Sequence, residues 1–384
     1  MDLLKPKKTQ LNIGVYISNK VINNLYKNQK AKFSIKELVS ANKRLNTNLF
    51  FFSRKDVDLR QKIINGIYYN YQSQKWERRK YSYPDVLYSR TREINNNRNS
   101  KLRKSFIKEG ITFLNSRSAF DKWNVHKALL KDSRAIHHLP LTRLYNHPRD
   151  LKKMFIFSRS VYIKPRVGRL GHSIIHVKAV PRKGYEYKYF SKKTKKLVFR
   201  RVRTFRKLAI DIARILKGKK VLMQSAIDSI KIDDKIVDMR AEIQRTSNGE
   251  LQVMDLFSRI GAKNSPITNL PSGAKFFRFD PFIRSYLKYS EHEATLLKQK
   301  IELFLKKMHE SIEGIYGPLG ETAIDFAIDS KQHLWFIECN STSTKLAYSV
   351  AKSPKQIVSK AFLNPLEYCI YLYENSSNKM MRSM

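Results

Sequence analysis

The sequence predicts an α+β (α/β) fold, on three observations. Short apolar runs with strand periodicity recur along the chain, interleaved with amphipathic stretches of helical period. Some of those runs are joined by turn residues, as hairpins are. The composition supplies a core: 42% of the 384 residues are hydrophobic and 11% aromatic. That core excludes a disordered basic tail, despite a formal net charge of +44. At roughly 150 residues per domain, the length fits two or three domains or one multi-lobed enzyme.

The elements follow in chain order. LNIGVYIS (11–18) reads as a strand, and residues 20–65 as short amphipathic pieces. From Tyr68 to Lys104 the chain is dense in Tyr, Asn and Arg and reads as a solvated basic connection; interleaved aromatic and basic residues also stack bases and bind phosphates. SRSAFDKWNVHKALLKD (116–132) reads as a helix with Ser118 as its N-cap and Asp121 three later. SVYIK (160–164) is a strand, followed by the loop PRVGRLGH and the strand SIIHVKAV. Residues 185–203 form one or two basic strands. FRKLAIDIARILK (205–217) is an amphipathic helix with Gly218 just past its end. VLMQSAI (221–227) is a strand, and VDMRAEIQR and GELQVMDLFSRIG pair around Ser247-Asn248-Gly249. A long helix spans 290–313, the strands ETAIDFAID and HLWFIECN follow, and 354–374 is helical.

Charge and cysteine content narrow the class. Residues 1–224 hold 55 basic and 13 acidic groups, against 21 and 19 in the remainder. Such a field attracts phosphates, nucleic acid, anionic polymers or anionic membranes; a lysine-rich composition alone also produces it. Two cysteines exclude a disulfide scaffold or zinc ribbon and point to a reducing compartment. No apolar run reaches the ~18 residues of a membrane span, and MDLLKPKKTQ lacks the apolar core of a signal peptide.

Four features carry chemistry. A hairpin of 322–328 and 333–340, turning at Lys331-Gln332, sets Asp325 opposite Glu338. Ile324, Phe326, Ile328, Trp335, Ile337 and Cys339 would then form an apolar face. Asp325, Ala327, Phe336, Glu338 and Asn340 would form the other. Opposed like charges destabilise a sheet. A hard cation such as Mg²⁺ would offset that cost, unless the two carboxylates splay apart into water. The second feature is IKPRVGRLGHSIIHV (163–177), a lysine at a strand end before a loop with Gly168 and Gly171. Such a loop either cradles phosphate or simply turns a hairpin; GxxxxGK[ST] is absent. The third is Gln224 on a strand running into Asp228, Asp233 and Asp234. In the fourth, DMRAEIQR, Asp238 and Arg240 share a strand face, which suits an ion pair. No Ser/His/Asp or Cys/His set suggests a covalent nucleophile.

In this order the set resembles the ATP-grasp superfamily, and within it the YheC/YheD family of endospore coat-associated proteins. The matching segments are PDVLYSR (84–90), FLNS and FDKW (113–123), LPLT (139–142), the Lys-Pro glycine loop, TNLPSG (268–273) and IDFAIDSKQHLWFIECN. They cover about residues 83–345. The resemblance implies two α+β lobes gripping a nucleotide, after a small N-terminal α/β domain. The implied divisions are 1–113, a pre-ATP-grasp domain with the basic connection; 114–222, the lobe with phosphate lysines and glycine loop; 223–345, the lobe with hinge and metal site; and 346–384, a C-terminal helix.

The resemblance also implies roles. Lys122 and Lys164 would meet the phosphates, and Gly168 to His172, including Gly171, would close over them. Gln224 and the backbone near Ile227 would contact adenine. Arg240 would face the γ-phosphate, with Arg259 as a further candidate. Asp325, Glu338 and Asn340 would hold Mg²⁺. After Asn340 the family often continues with Pro and Gly; this chain has STSTK. The implied activity is an ATP- and Mg²⁺-dependent carboxylate–amine ligase acting through an acyl phosphate, with an anionic polymer or acidic peptide among its partners. The alternative is a nucleotide-binding structural protein of the spore coat, without turnover, that binds an anionic polymer through its basic half, residues 1–224. A nucleic-acid partner rests on charge alone. The implied location is cytoplasmic or spore-associated.

Overall fold

The structure, a computed structural model, describes residues 10–95, 99–168, 173–191 and 193–382. Three sheets succeed one another along the chain. In the first, Leu11–Tyr16 lies between parallel neighbours Thr47–Phe52 and Val86–Ser89. These strands are buried on both faces, and Phe50, Phe51 and Phe52 are all fully buried. Near-continuous apolar sequence is what such a parallel core requires.

The second sheet is antiparallel, ordered from Lys196–Val202 through Gly184–Ser191, Ile175–Val180, Ser160–Pro165 and Val221–Ser225 to Thr142–Tyr145. Alternation along each strand divides its faces. Val161, Ile163, Val177 and Met223 pack beneath the helices Pro148–Phe157 and Phe205–Leu216. The latter helix is capped by the Thr204 side chain and buries Leu208, Ile212 and Leu216 at four-residue spacing. The opposite face carries Tyr162, Lys164 and Gln224 toward the third sheet.

The third sheet runs Lys275–Arg278, Leu251–Ile260, Lys235–Arg245, Glu321–Ile328, Leu334–Asn340. The helix Glu291–Tyr316 covers one face. It starts at a capping box between Ser290 and Glu293 and buries Leu297, Ile301, Phe304, Leu305, Met308 and Ile312. That stripe meets Ile324, Phe326, Ile328 and Cys339 in one core.

Sequence expectation and structure part company at three places. The described residues of the Tyr68–Lys104 stretch are folded: Ile63–Asn70 and Lys75–Ser82 form a hairpin on the first sheet, and Ser100–Lys108 a helix. Trp76 is buried edge-on against Phe51, and Tyr69 packs beside it. The basic residues occupy the hairpin's other positions, so aromatic anchoring outweighed the charge signal. The helix after FDKW begins later than expected. Its N-cap is Asp121, whose carboxylate accepts from the Trp123 and Asn124 amides, not Ser118. The terminal hairpin keeps Asp325 opposite Glu338, but a bulge follows, and Phe326 pairs with Phe336. The extra residue is Ile337. Phe336 therefore enters the core and Ile337 lines the cleft, exchanging their expected faces.

The first and third sheets are tied by a buried carboxylate. Glu321 accepts from the Tyr88 hydroxyl at 2.7 Å and pairs with Arg90 at 3.1 Å and Lys345 at 2.9 Å. Burial pushes its carboxyl up, but Lys345 and Arg90 outweigh that and hold it below the usual range. The C-terminal helix, Lys355–Arg382, contains Pro365. Proline has no N–H, so the Ala361 carbonyl four residues earlier lacks its helical donor. Lys345 Nζ (2.5 Å) and Gln244 Nε2 (2.8 Å) donate to it instead. Glu321→Ala leaves Arg90 and Lys345 as uncompensated buried cations. A loss of roughly 3–5 kcal/mol of stability is expected, read as a lowered denaturant midpoint; an unchanged midpoint would contradict this account.

Candidate functional site

The second and third sheets face each other across a cleft of about 1250 Å³, its open mouth included. Lys164 lies on its roof, only 8% exposed. Its ammonium donates to Gln224 Oε1 at 2.6 Å, and Gln224 Nε2 donates to the Thr142 hydroxyl at 3.2 Å. Burial lowers the Lys164 ammonium to about 8, partly opposed by Glu338. A cation costly to hold in the apo protein is one that an anionic ligand stabilises.

The floor is a lattice of charge on adjacent strands. Asp238 lies directly opposite Arg259, and Arg240 directly opposite Asp325. Both pairs are two-pronged: 2.7 and 2.9 Å for Arg240–Asp325, 2.6 and 2.7 Å for Arg259–Asp238. Arg259 also reaches Asp325 at 3.2 Å. Asp238 therefore pairs across the ladder rather than with Arg240 along its own strand. The fork of a guanidinium matches a carboxylate on the neighbouring strand better than one two residues along. Thr268, in the TNLPSG segment, donates to Asp238 and brings that loop to the cleft wall.

Glu338, opposite Asp325, is held by Lys122 at 3.0 Å and by the Asn340 amide at 3.1 Å. Burial raises the Glu338 carboxyl, but Lys122, Asn340 and Lys164 outweigh it and hold it well below the usual range. Lys122 is the first residue of the helix Lys122–Leu129. That helix start is clipped to the roof: the Lys122 amide donates to the Arg166 carbonyl at 2.9 Å, and Arg166 pairs with Asp121. The Lys122 ammonium also donates to the Gly168 carbonyl at 3.4 Å.

The structure thus gathers Lys122, Lys164, Gly168, Gln224, Ile227, Arg240, Arg259, Asp325, Glu338 and Asn340 around one cleft or its immediate neighbours. Gly171 lies outside the described residues. The Gln224 side chain is turned to Lys164 and Thr142. Asp228, Asp233 and Asp234 stay exposed on the surface. Cys339 is in the core, and burial pushes its thiol far up, so it is no nucleophile.

Sequence reasoning missed Glu242. It follows Arg240 on the same strand face, is 1% exposed, and accepts from the Ser343 hydroxyl at 2.6 Å. Burial raises its carboxyl to about 7, against the pull of Arg240. Its place in the every-second-residue series Asp238, Arg240, Glu242 was the available signal. Lys345 was also missed, although STSTK marked the segment.

The cleft cations Lys122, Lys164, Arg240 and Arg259 outnumber the carboxylates Asp238, Asp325 and Glu338, which suits a polyanionic ligand. The donor set also fits a hard divalent cation: two carboxylates on opposed residues, with an amide two positions on. Among the described residues no three acidic, imidazole or thiol groups converge as a metal cluster. Such sparse protein ligation is what Mg²⁺ takes when substrate phosphates complete its sphere.

Comparison with known proteins agrees with this geometry. The family model described as "YheC/D like ATP-grasp" matches residues 110–372. The endospore coat-associated protein YheD of Bacillus subtilis (strain 168) is 25% identical over 91% of this chain and 76% of its own length. Among solved structures, the VanG D-Ala:D-Ser ligase from Enterococcus faecalis superposes with a TM-score of 0.53 at 12% identity, covering 95% of this chain and 99% of that one. D-cycloserine synthetase DcsG does so at 0.51 and 11%, covering 91% and 98%. The ATP-grasp ligase PsnB, complexed with a minimal precursor, gives 0.51 and 12%, covering 95% and 99%. The fold is that of ATP-grasp ligases, and the chain belongs to the YheC/D-like ATP-grasp family.

Proposed function

We propose that the protein is an ATP- and Mg²⁺-dependent carboxylate–amine ligase. One observation carries the reading: Lys164 from the second sheet, Lys122 from a helix packed on the third sheet, and two arginines of the third sheet converge on a cleft that also presents Asp325 opposite Glu338. Phosphoryl transfer needs positioned cations more than covalent protein chemistry. A substrate carboxylate attacks the γ-phosphate of ATP, giving an acyl phosphate and ADP. An amine then displaces phosphate and forms the amide. Lys164 binds the phosphates from the roof, and Lys122 from the helix clipped to it. Arg240, with Arg259 behind it, faces the charge that develops at the transferred group. Asp325, Glu338 and Asn340 would hold Mg²⁺, which supplies charge neutralisation on the phosphates. Gln224 orients Lys164, and the backbone near Ile227 meets the adenine. The decisive experiment measures ADP release against a panel of amino acids, peptides and anionic polymers.

A second reading is favoured by the double guanidinium hold on Asp325. With that carboxylate satisfied by protein, the chain would bind nucleotide without turnover, as a coat-associated scaffold engaging an anionic polymer. ATP binding with no ADP release on any substrate supports that alternative.

Three outcomes are expected. Lys122→Met and Lys164→Met each keep the apolar stem and remove a charge-assisted contact worth about 1.5–3 kcal/mol. Each should weaken ATP binding about tenfold or more by calorimetry. The double variant should lose less than the sum, since both act on one phosphate cluster. Wild-type affinity in both would remove the phosphate-site assignment. Glu338→Ala should abolish the Mg²⁺-dependent part of the ATP thermal shift, where saturating ligand stabilises by about 3–4 kcal/mol. The third concerns pH. Lys164 is depressed to about 8 in the free protein and bound phosphate favours its charged form. ATP affinity is therefore full below about pH 8 and falls as pH rises beyond it. Lys164→Met should flatten that alkaline limb; an unaltered limb would assign it to another group.

A further inference from the structure

We infer that the cleft-facing surface of the second sheet continues beyond the nucleotide cleft as a docking track for an acid-rich polypeptide. The strand register defines one row of side chains on that face. Gln224 pairs with Tyr162, Tyr162 with His176, His176 with Lys188 and Lys188 with Phe199. Directly opposed residues share a face, so the row starts beside Lys164 and runs outward. The Tyr162 and His176 rings stack at 4.6 Å, and the Lys188 ammonium lies 5.8 Å from the Phe199 ring centre. In the next row, Lys178 pairs with Glu186 and Glu186 with Arg201.

The row ends in the open. Strand Lys196–Val202 is the outermost of the sheet among the described residues, and Phe199 on it is 44% exposed. Core packing does not explain this surface, because the helices cover the opposite face. Guarding a free sheet edge against self-pairing accounts for charged residues there, but an exposed phenyl works against that guard. On this face the register places Lys178, Lys188 and Arg201 with a single acid, Glu186. Arg201 already holds Glu186, at 3.0 Å. The surface therefore offers Lys178, Lys188 and aromatic faces, with its one acid already paired, which complements a chain of carboxylates.

The destination of the row selects the partner. It leads to Lys164 and the cleft residues, where a carboxylate–amine ligase activates a carboxylate. An acid-rich polypeptide brings carboxylates both to dock and to react, whereas nucleic acid brings none. To that extent the choice rests on the ligase reading. Three strand spacings of about 4.8 Å separate Phe199 from Tyr162, roughly 14 Å, or four to five extended residues. Docking and reacting groups on one peptide would be separated by about that many residues.

Fluorescence anisotropy with a labelled oligoglutamate, alongside a labelled oligothymidylate of equal charge, tests the inference without requiring turnover. Lys178→Ser/Lys188→Ser and, separately, Phe199→Ser should each weaken oligoglutamate binding about tenfold or more for the double and several-fold for the single. The ATP thermal shift should stay unchanged in both, which also certifies their folding. Lys27→Ser/Lys36→Ser removes the same charge from exposed helix positions on the first domain and should bind like wild type. The inference is overturned if this control loses as much as the track variant, since the whole-protein field is then responsible. It is equally overturned if the wild type binds oligothymidylate but not oligoglutamate. Track-dependent oligoglutamate binding without ADP release on any acidic peptide would uphold the docking surface and sink the ligase reading instead.

Discussion

The carboxylate of Glu321 is the point on which the arrangement of the sheets depends. It is 2% exposed and sits at the start of a strand of the third sheet. Its partners come from three directions: Tyr88 and Arg90 from the first sheet, Lys345 from the segment after the terminal hairpin, and Gln244 from the neighbouring strand. Asn115 reinforces the joint, bridging the Glu321 backbone and the Ser341 carbonyl. A buried ion pair is often no more stabilising than packed hydrocarbon, but removing one partner is severe. Such a cluster tolerates one mutual placement of its elements, which is what a cleft built from separate parts of the chain requires.

The floor of the cleft applies the same principle to chemistry. The strand Lys235–Arg245 sets Asp238, Arg240 and Glu242 on one face, and the flanking strands answer with Arg259 and Asp325. Each guanidinium is fixed by carboxylate before any ligand arrives. The cations are therefore oriented in advance, and their reorganisation cost on meeting an anion is small. Glu242, raised to about 7 by burial, sits beside Arg240 without fully cancelling its charge at neutral pH.

Much of this was legible in the sequence, because strand alternation is a strict code. The facing of Asp325 and Glu338 follows from period two and the position of the turn, and the inward face of Ile324 and Phe326 from period two alone. The code fails where the count changes by one. The bulge at Ile337 reversed the expected faces of Phe336 and Ile337, and periodicity carries no mark of a bulge. The pairing of Asp238 with Arg259 was equally hidden, since it depends on the register between strands rather than on spacing within one. The Tyr- and Arg-rich hairpin misled for a different reason. Its charges are conspicuous, while the anchors Tyr69 and Trp76 that fold it are few. The buried cluster around Glu321 joins positions 88, 90, 321 and 345, too far apart in sequence for local reading.

Pro365 bears on the timing of assembly. The carbonyl it frees at Ala361 anchors Lys345 and Gln244, so the segment that follows Asn340 takes its final acceptor from the C-terminal helix. During synthesis the three sheets emerge before that helix does. Until residues 355–382 are available, Lys345 has no such carbonyl to seat on, and one wall of the cleft lacks its backing. The backing of that wall therefore waits on the helix, rather than following sheet by sheet as the strands pair.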